Sequence, residues 1–253
     1  MSLVQAVILG LIQGLTEFLP VSSSGHLVVA QTFFNLASPP ILFDILVHVG
    51  TLIAVFIFFK KEIFKLNTHQ IKLIIIGTVP AIIVGLLIEP AIETLFSSLS
   101  LVALSLLVTA SLLFVTKYLH KENNTINKLS NKNAIIIGIF QALAILPGIS
   151  RSGSTVSAGL FTGLKKSAAF SFSFLLSIPA IIGALVLHVK DYSQFTYNNL
   201  TPSLIGMLIS AITGFMALKI LKIIIRKAKL HYFAYYCLFL SITLLSYLSF
   251  ANQ

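Results

Sequence analysis

Gln13-Gly14-Leu15-Thr16-Glu17-Phe18-Leu19-Pro20-Val21-Ser22-Ser23-Ser24-Gly25-His26 lies between two apolar runs. It puts a carboxylate, an imidazole, a run of serines and a Pro/Gly break where a plain membrane helix would continue uninterrupted. The run before it, residues 3–19, stops at Pro20. As a helix from Val4 it rises only ~24 Å, short of the ~30 Å hydrocarbon core of a bilayer. Residues 25–36 form a second short apolar piece. The pattern predicts a helix–break–helix that enters the membrane and returns on the same side, a backbone tolerated where it lines an enclosed polar cavity.

Working outward, the whole chain is apolar. Of its 253 residues 57% are hydrophobic and 9% charged, with a mean hydropathy of +1.00. A soluble domain carries roughly 25% charged residues. Continuous apolar runs without strand alternation indicate helical rather than barrel spans. The net charge of +10 reads as lysines kept on the cytoplasmic side of a membrane protein, not as a nucleic-acid surface. The lone Cys237 rules out an intrachain disulfide and a cysteine metal cluster. Residues 1–40 hold no Lys or Arg, so the charged start of a cleavable signal peptide is missing.

Long apolar segments near 41–59, 71–88 and 101–116 follow the first break, then a polar linker, 117–133. Short runs at 134–146 and 154–164 flank a second break, Pro147-Gly148-Ile149-Ser150-Arg151-Ser152-Gly153. Three more long segments lie near 168–188, 203–225 and 231–250. The expected fold is an all-α polytopic membrane protein with six transmembrane helices and two re-entrant hairpins in a single membrane domain, 1–253. At an offset of 128, Gly10, Gln13, Ser22, Ser24 and Gly25 align with Gly138, Gln141, Ser150, Ser152 and Gly153. One residue later in register, Gly77 and Gly85 align with Gly206 and Gly214. This ordered set indicates an internal repeat with halves of about 1–118 and 133–250.

Charge sets the expected topology. Lys60, Lys61, Lys65 and Lys72 share a loop, as do Lys117, Lys121, Lys128 and Lys132. Lys165-Lys166 follow the second hairpin, and Lys219, Lys222, Arg226, Lys227 and Lys229 precede the last span. The loops 89–100 and 189–202 hold only Lys190, with Glu89, Glu93 and Asp191. With every basic cluster inside, both termini lie outside, the first hairpin dips in from outside and the second from the cytoplasm. An odd number of spans per repeat makes the halves inverted in the membrane.

An intramembrane carboxylate such as Glu17 costs several kcal/mol and usually marks function. Gln13, one turn earlier, shares its helix face, so the pair can offer oxygens to a cation or a water. His26 has the chemistry of a general acid/base or of a nucleophile toward phosphorus, against the ordinary alternative of a structural histidine. Ser22, Ser23 and Ser24 can cap the returning helix or bind an oxyanion. Arg151 is the sole basic residue of the second break. Ser150, Ser152, Gly153, Ser154 and Thr155 surround it with hydroxyls and N–H groups at a helix start, an anion site for which phosphate is the natural ligand. The Phe-rich spans around it suit a lipid tail.

The first motif, Gln13 to His26, resembles the [E/Q]-x-x-x-E and PVSS-x-GH signature of the undecaprenyl-diphosphate phosphatases of the bacitracin-resistance type. Pro147-Gly148-Ile149-Ser150-Arg151-Ser152-Gly153-Ser154-Thr155 resembles their second signature, PG-x-SRS-x-x-T. Phe43-Asp44 and His48-Val49-Gly50-Thr51-Leu52 resemble a further family stretch, and the likeness runs the full chain. It implies removal of the terminal phosphate from a C55 isoprenyl diphosphate, yielding the lipid carrier for peptidoglycan. It implies a bacterial cell (inner) membrane location, an active site open to the outer side, a divalent cation (Mg or Ca), and leaves a homodimer open. By position, Glu17 and His26 would be catalytic, with Glu17 also at the metal. Arg151 would bind the diphosphate in catalysis, and Ser22, Ser23, Ser150, Ser152 and Thr155 would bind phosphate oxygens. Gln13 fills the first motif position, where an amide leaves Glu17 the sole carboxylate of the pair. Asp44 would be a supplementary ligand or simply a helix-end residue, with His48 one turn beyond it.

The competing reading is a polyprenyl-phosphate transporter or flippase, because inverted repeats with broken helices are a transporter layout. Ser24-Gly25-His26 also resembles part of the type-2 phosphatidic-acid phosphatase motif. That family needs a His about six residues after its second-motif Arg, followed by an Asp; here Ser157 stands there and no Asp follows until Asp191. Nothing in the chain suggests the multi-site filter of an ion channel.

Overall fold

The computed structural model describes residues 1–34, 36, 41–119, 124–188, 200–227 and 229–251. Lys121, Lys190 and Asp191, used in the charge argument, lie outside the described residues. Among the described residues the regular structure is helical, apart from an isolated bridge between Asn124 and Leu164. The helices are α1 (Leu3–Phe18), α2 (Ser23–Phe33), α3 (Ile41–Phe58), the short α4 (Lys60–Ile63), α5 (Thr68–Ile88), the short α6 (Ile92–Phe96), α7 (Leu99–Val115), α8 (Asn131–Leu143), α9 (Arg151–Phe161), α10 (Lys166–His188), α11 (Leu200–Arg226) and α12 (Tyr232–Ala251).

Several helices start two or three residues before the apolar runs do. The reason is capping. Side chains of Asn67, Ser98 and Ser130 accept backbone N–H groups of Gln70, Leu101 and Asn133, so the capped first turn belongs to each helix, including the polar first turns of α5 and α8 that hydropathy excludes. Both expected breaks are present, α1–α2 and α8–α9, as pairs of short helices joined by tight turns.

Five helices are long and apolar enough to cross a membrane: Thr68–Ala91, Leu99–Tyr118, Lys166–Leu187, Leu200–Arg226 and Tyr232–Phe250. The chain is a multi-pass membrane protein. The expected sixth span, α3, has 18 residues and rises about 27 Å, just under the hydrocarbon thickness.

Close backbone crossings hold the helices together, as expected where lipid removes the hydrophobic drive for helix association. A Cβ on Gly10 of α1 would lie 2.8 Å from the carbonyl oxygen of Gly206 on α11. A Cβ on Gly138 of α8 would collide with the carbonyl oxygen of Gly77 on α5. These are the glycines that the sequence offset pairs, with partners exchanged: the first short helix of each half crosses a glycine of the other. Between them a phenylalanine cluster fills the centre. Phe18, at the end of α1, meets Phe174 edge-on at 5.5 Å, and Phe174 contacts Phe59 and Phe170 at 5.8 and 5.0 Å. Phe18 thereby fixes where Glu17, the next residue back, is presented.

Gly10→Ala and Gly138→Ala should each lower the thermal midpoint of the detergent-purified protein, by about 1–3 kcal/mol of overpacking. Gly183→Ala, whose Cβ would meet nothing within 4 Å, should leave the midpoint unchanged or raised.

Candidate active site

The first break is built around Ser22. Helix α1 ends at Phe18, and Leu19 is extended. Ser22 then turns the chain with φ 69° and ψ 97°, the sole non-glycine residue at positive φ among the described residues. Such backbone costs an L-residue ~1–2 kcal/mol. A glycine would relieve that cost but bring no hydroxyl. The Ser22 Oγ accepts the Gly25 N–H at 3.3 Å, capping α2, and the Gly148 N–H at 3.1 Å, reaching the second break.

The second break repeats the device. Gly148 takes φ 97°. Ser150 caps α9 by accepting the Gly153 N–H at 3.1 Å. Thr109 of α7 donates to the Gly148 carbonyl at 2.9 Å and accepts the Ser150 N–H at 3.0 Å, satisfying backbone groups that no water reaches. The Ser152 hydroxyl donates to the Leu19 carbonyl at 3.2 Å. A Cβ on Gly25 would lie 3.2 Å from Gly148 Cα, and one on Gly153 would lie 3.2 Å from Pro20 Cβ. The two turns therefore pack on one another.

At their contact sits an ion pair. Arg151, the first residue of α9, donates through Nη2 to Glu17 Oε1. Glu17 Oε2 accepts from the Ser23 hydroxyl at 2.6 Å and from Gln13 Nε2 at 3.1 Å. Glu17 is 7% exposed and Gln13 fully buried. Burying both charges is costly, and the added hydrogen bonds offset the penalty only because they satisfy both carboxylate oxygens. Two polar atoms here are buried without a partner among the described residues: Arg151 Nη1, a donor, and Gln13 Oε1, an acceptor.

His26 stands one turn into α2. Its Nδ1 lies 2.7 Å from the Ser22 carbonyl oxygen. A carbonyl only accepts, so the neutral ring carries its proton on Nδ1. Nε2 is then an acceptor, 2.7 Å from the hydroxyl of Tyr236 on α12. His48 follows the same local pattern, with Nδ1 2.7 Å from the Asp44 carbonyl oxygen, and lies within electrostatic reach of both Glu17 and Asp44. Asp44 Oδ1 is buried and unpartnered among the described residues.

Glu17, Arg151, Gln13 and Ser23 thus meet directly, and Ser22 and His26 occupy the adjoining turn. Ser22, Ser150 and Ser152 use their hydroxyls to hold the two turns. Thr155 lies one turn deeper, its hydroxyl donating to the Arg151 carbonyl at 2.8 Å and sharing a hydrogen bond with Ser173. Sequence reasoning missed Thr109, Ser173 and Tyr236. The first two are isolated hydroxyls inside apolar runs, and Tyr236 reads as an ordinary interfacial aromatic beside Tyr235.

A family model described as bacitracin resistance protein BacA matches residues 6–243. A curated relative named undecaprenyl-diphosphatase, from Carboxydothermus hydrogenoformans, is 44% identical over 249 residues and covers 95% of each chain. Proteins of the same name are similar at 43% identity in Desulfatibacillum aliphaticivorans, covering 95% of this chain and 97% of the relative, and at 42% in Halothermothrix orenii, covering 94% and 95%.

Arg151→Ala leaves the Glu17 carboxylate buried and uncompensated, and should cost about 3–5 kcal/mol of stability. Adding Glu17→Gln to it should recover much of that loss. A double-mutant cycle on unfolding in detergent measures both. Ser22→Ala, which keeps the strained backbone and strips two N–H groups of their acceptor, should cost about 1–3 kcal/mol.

Proposed function

The chain belongs to the bacitracin resistance protein BacA family, and on that premise we propose that the Arg151–Glu17 pair and His26 form the hydrolytic site of an undecaprenyl-diphosphate phosphatase. The protein hydrolyses undecaprenyl diphosphate to undecaprenyl phosphate and inorganic phosphate, returning the lipid carrier to peptidoglycan synthesis. The observation that carries the site assignment is the unpartnered, buried Nη1 of Arg151. A guanidinium already anchored through Nη2 has one arm left to take a phosphate oxygen, at the N-terminus of α9 where backbone N–H groups favour an anion.

In this mechanism the diphosphate is drawn to Arg151 and loosens the hold of Glu17 upon it. Ser23 and Gln13 keep the carboxylate in place. The His26 Nε2 lone pair either attacks the terminal phosphorus, giving a phosphohistidine that water then cleaves to inorganic phosphate, or takes the proton of the attacking water. The lipid monophosphate leaves along the apolar spans. Most of the acceleration comes from charge neutralisation by donors already in position. Gln13 Oε1, an orphaned hard oxygen, and Glu17 fit magnesium or calcium, which take carboxylate and carbonyl oxygens and complete their shells with phosphate oxygens and water. Among the described residues no group of three His, Cys, Asp or Glu is placed to hold a metal. When bound, that cation would neutralise the diphosphate charge.

The same reading makes α3 the sixth span and the α1–α2 and α8–α9 pairs re-entrant hairpins of an inverted repeat. The exchanged glycine crossings and the matching Ser22 and Ser150 caps support it. It puts the basic clusters in the cytoplasm of a bacterial cell and opens the site to the outer face. The relatives' names do not favour the transporter alternative.

Glu17→Ala, His26→Ala and Arg151→Ala, assayed as purified protein for phosphate release from undecaprenyl diphosphate, should each lose ~10²-fold or more. Near-normal release from one of them removes that residue from the mechanism. Acid quench during turnover separates the two roles of His26: a trapped phosphohistidine assigns direct attack, and its absence with hydrolysis intact assigns a water nucleophile. Purified wild-type protein that releases no phosphate would sink the phosphatase reading.

A further inference from the structure

We propose that Tyr236 is a positioning residue for this reaction, its hydroxyl holding the His26 ring in one orientation. The proposal rests on the reading that His26 takes part in the chemistry, and it adds a residue from the far end of the chain.

The contact is tertiary: His26 and Tyr236 are 210 positions apart. The rings are nearly parallel, with centroids 5.7 Å apart and 8° between planes. Helix α12 is pinned so as to deliver Tyr236 there. Its next residue, Cys237, lies 3.6 Å from the Pro20 carbonyl of the first break, and Ser241, one turn on, donates to the Ala103 carbonyl of α7 at 2.6 Å. Tyr236 is therefore placed against the first turn from two anchor points, while the residue stays 45% exposed.

A bond from Nδ1 to its own helix leaves the imidazole free to swing about its side-chain torsions. A second bond at Nε2, on the opposite edge of the ring, removes that freedom. Phenol is both donor and acceptor, so one hydroxyl serves both protonation states. It donates to Nε2 of the neutral ring. Its hydrogen turns away to free the single Nε2 lone pair, the ring takes a proton from water there, and the phenol oxygen then accepts the new N–H. A phenylalanine would stack equally well and do neither.

Tyr236→Phe in the full-length, detergent-purified protein isolates the hydroxyl. Two measurements are made. Turnover of undecaprenyl diphosphate should show kcat down roughly tenfold, the loss expected of one hydrogen bond, with KM within about twofold. Modification of His26 by diethylpyrocarbonate, followed by peptide mass mapping, should be several-fold faster, because an uncapped neutral Nε2 is the reacting atom. Unchanged kcat overturns the proposal, as does a raised KM with kcat preserved, which would make Tyr236 a wall of the lipid site. An unchanged modification rate overturns it too. The modification arm needs no turnover, so a wild-type protein without phosphatase activity sinks the functional reading while this arm still decides whether Tyr236 caps His26.

Discussion

The ion pair between Glu17 and Arg151 closes a structure that would otherwise be two unsatisfied helix breaks. An interrupted helix at membrane depth exposes N–H and C=O groups that lipid does not satisfy. Each break solves this by leaning on the other. Ser22 of the first caps Gly148 of the second, Ser152 of the second bonds Leu19 of the first, and the charge pair locks the contact. Because the pair is buried, neither member is replaceable alone without leaving a charge stranded. The same need for mutual satisfaction that allows the breaks to exist also brings a guanidinium, a carboxylate and an imidazole to one place.

Much of this was legible in the residues. Pro20 and the Pro147-Gly148 pair mark the breaks because proline and glycine stop apolar periodicity. Glu17 and Arg151 stood out because ionisable groups between short apolar arms need partners, and each turned out to be the other's partner. The serines were ambiguous between cap and anion ligand. In the structure Ser22 and Ser150 are caps, Ser152 is a brace, and only Ser23 reaches the carboxylate. The helix starts were placed late, because a polar first turn is invisible to hydropathy. Thr109 and Tyr236 were not legible at all. Their roles arise from the docking of α7 and α12 on the breaks, and no local pattern encodes contacts across 39 and 41 positions for Thr109 or 210 for Tyr236.

The glycines of the helix crossings work differently from those of the turns. Gly148 is needed for its positive φ, whereas Gly10, Gly77 and Gly138 are ordinary helical residues whose missing Cβ lets two backbones touch, and Gly206 makes room for the Phe43 ring. The first group shapes the site and the second sets how closely α1 lies on α11 and α8 on α5. A change at Gly10 therefore bears on the site through the rigid body of α1, whereas a side chain at Gly206 would press on Phe43 and Val47 of α3.

The sequence offset that pairs the glycines pairs the site residues unequally. Glu17 has Ile145 as its counterpart, His26 has Ser154, and Arg151 has Ser23. With the same residues in both turns, two carboxylates and two guanidiniums would crowd one small enclosure, with like charges opposed. Instead one turn retains the acid and the imidazole and the other retains the cation. On the repeat proposed above, the two turns are complementary rather than redundant, and neither can stand in for damage to the other.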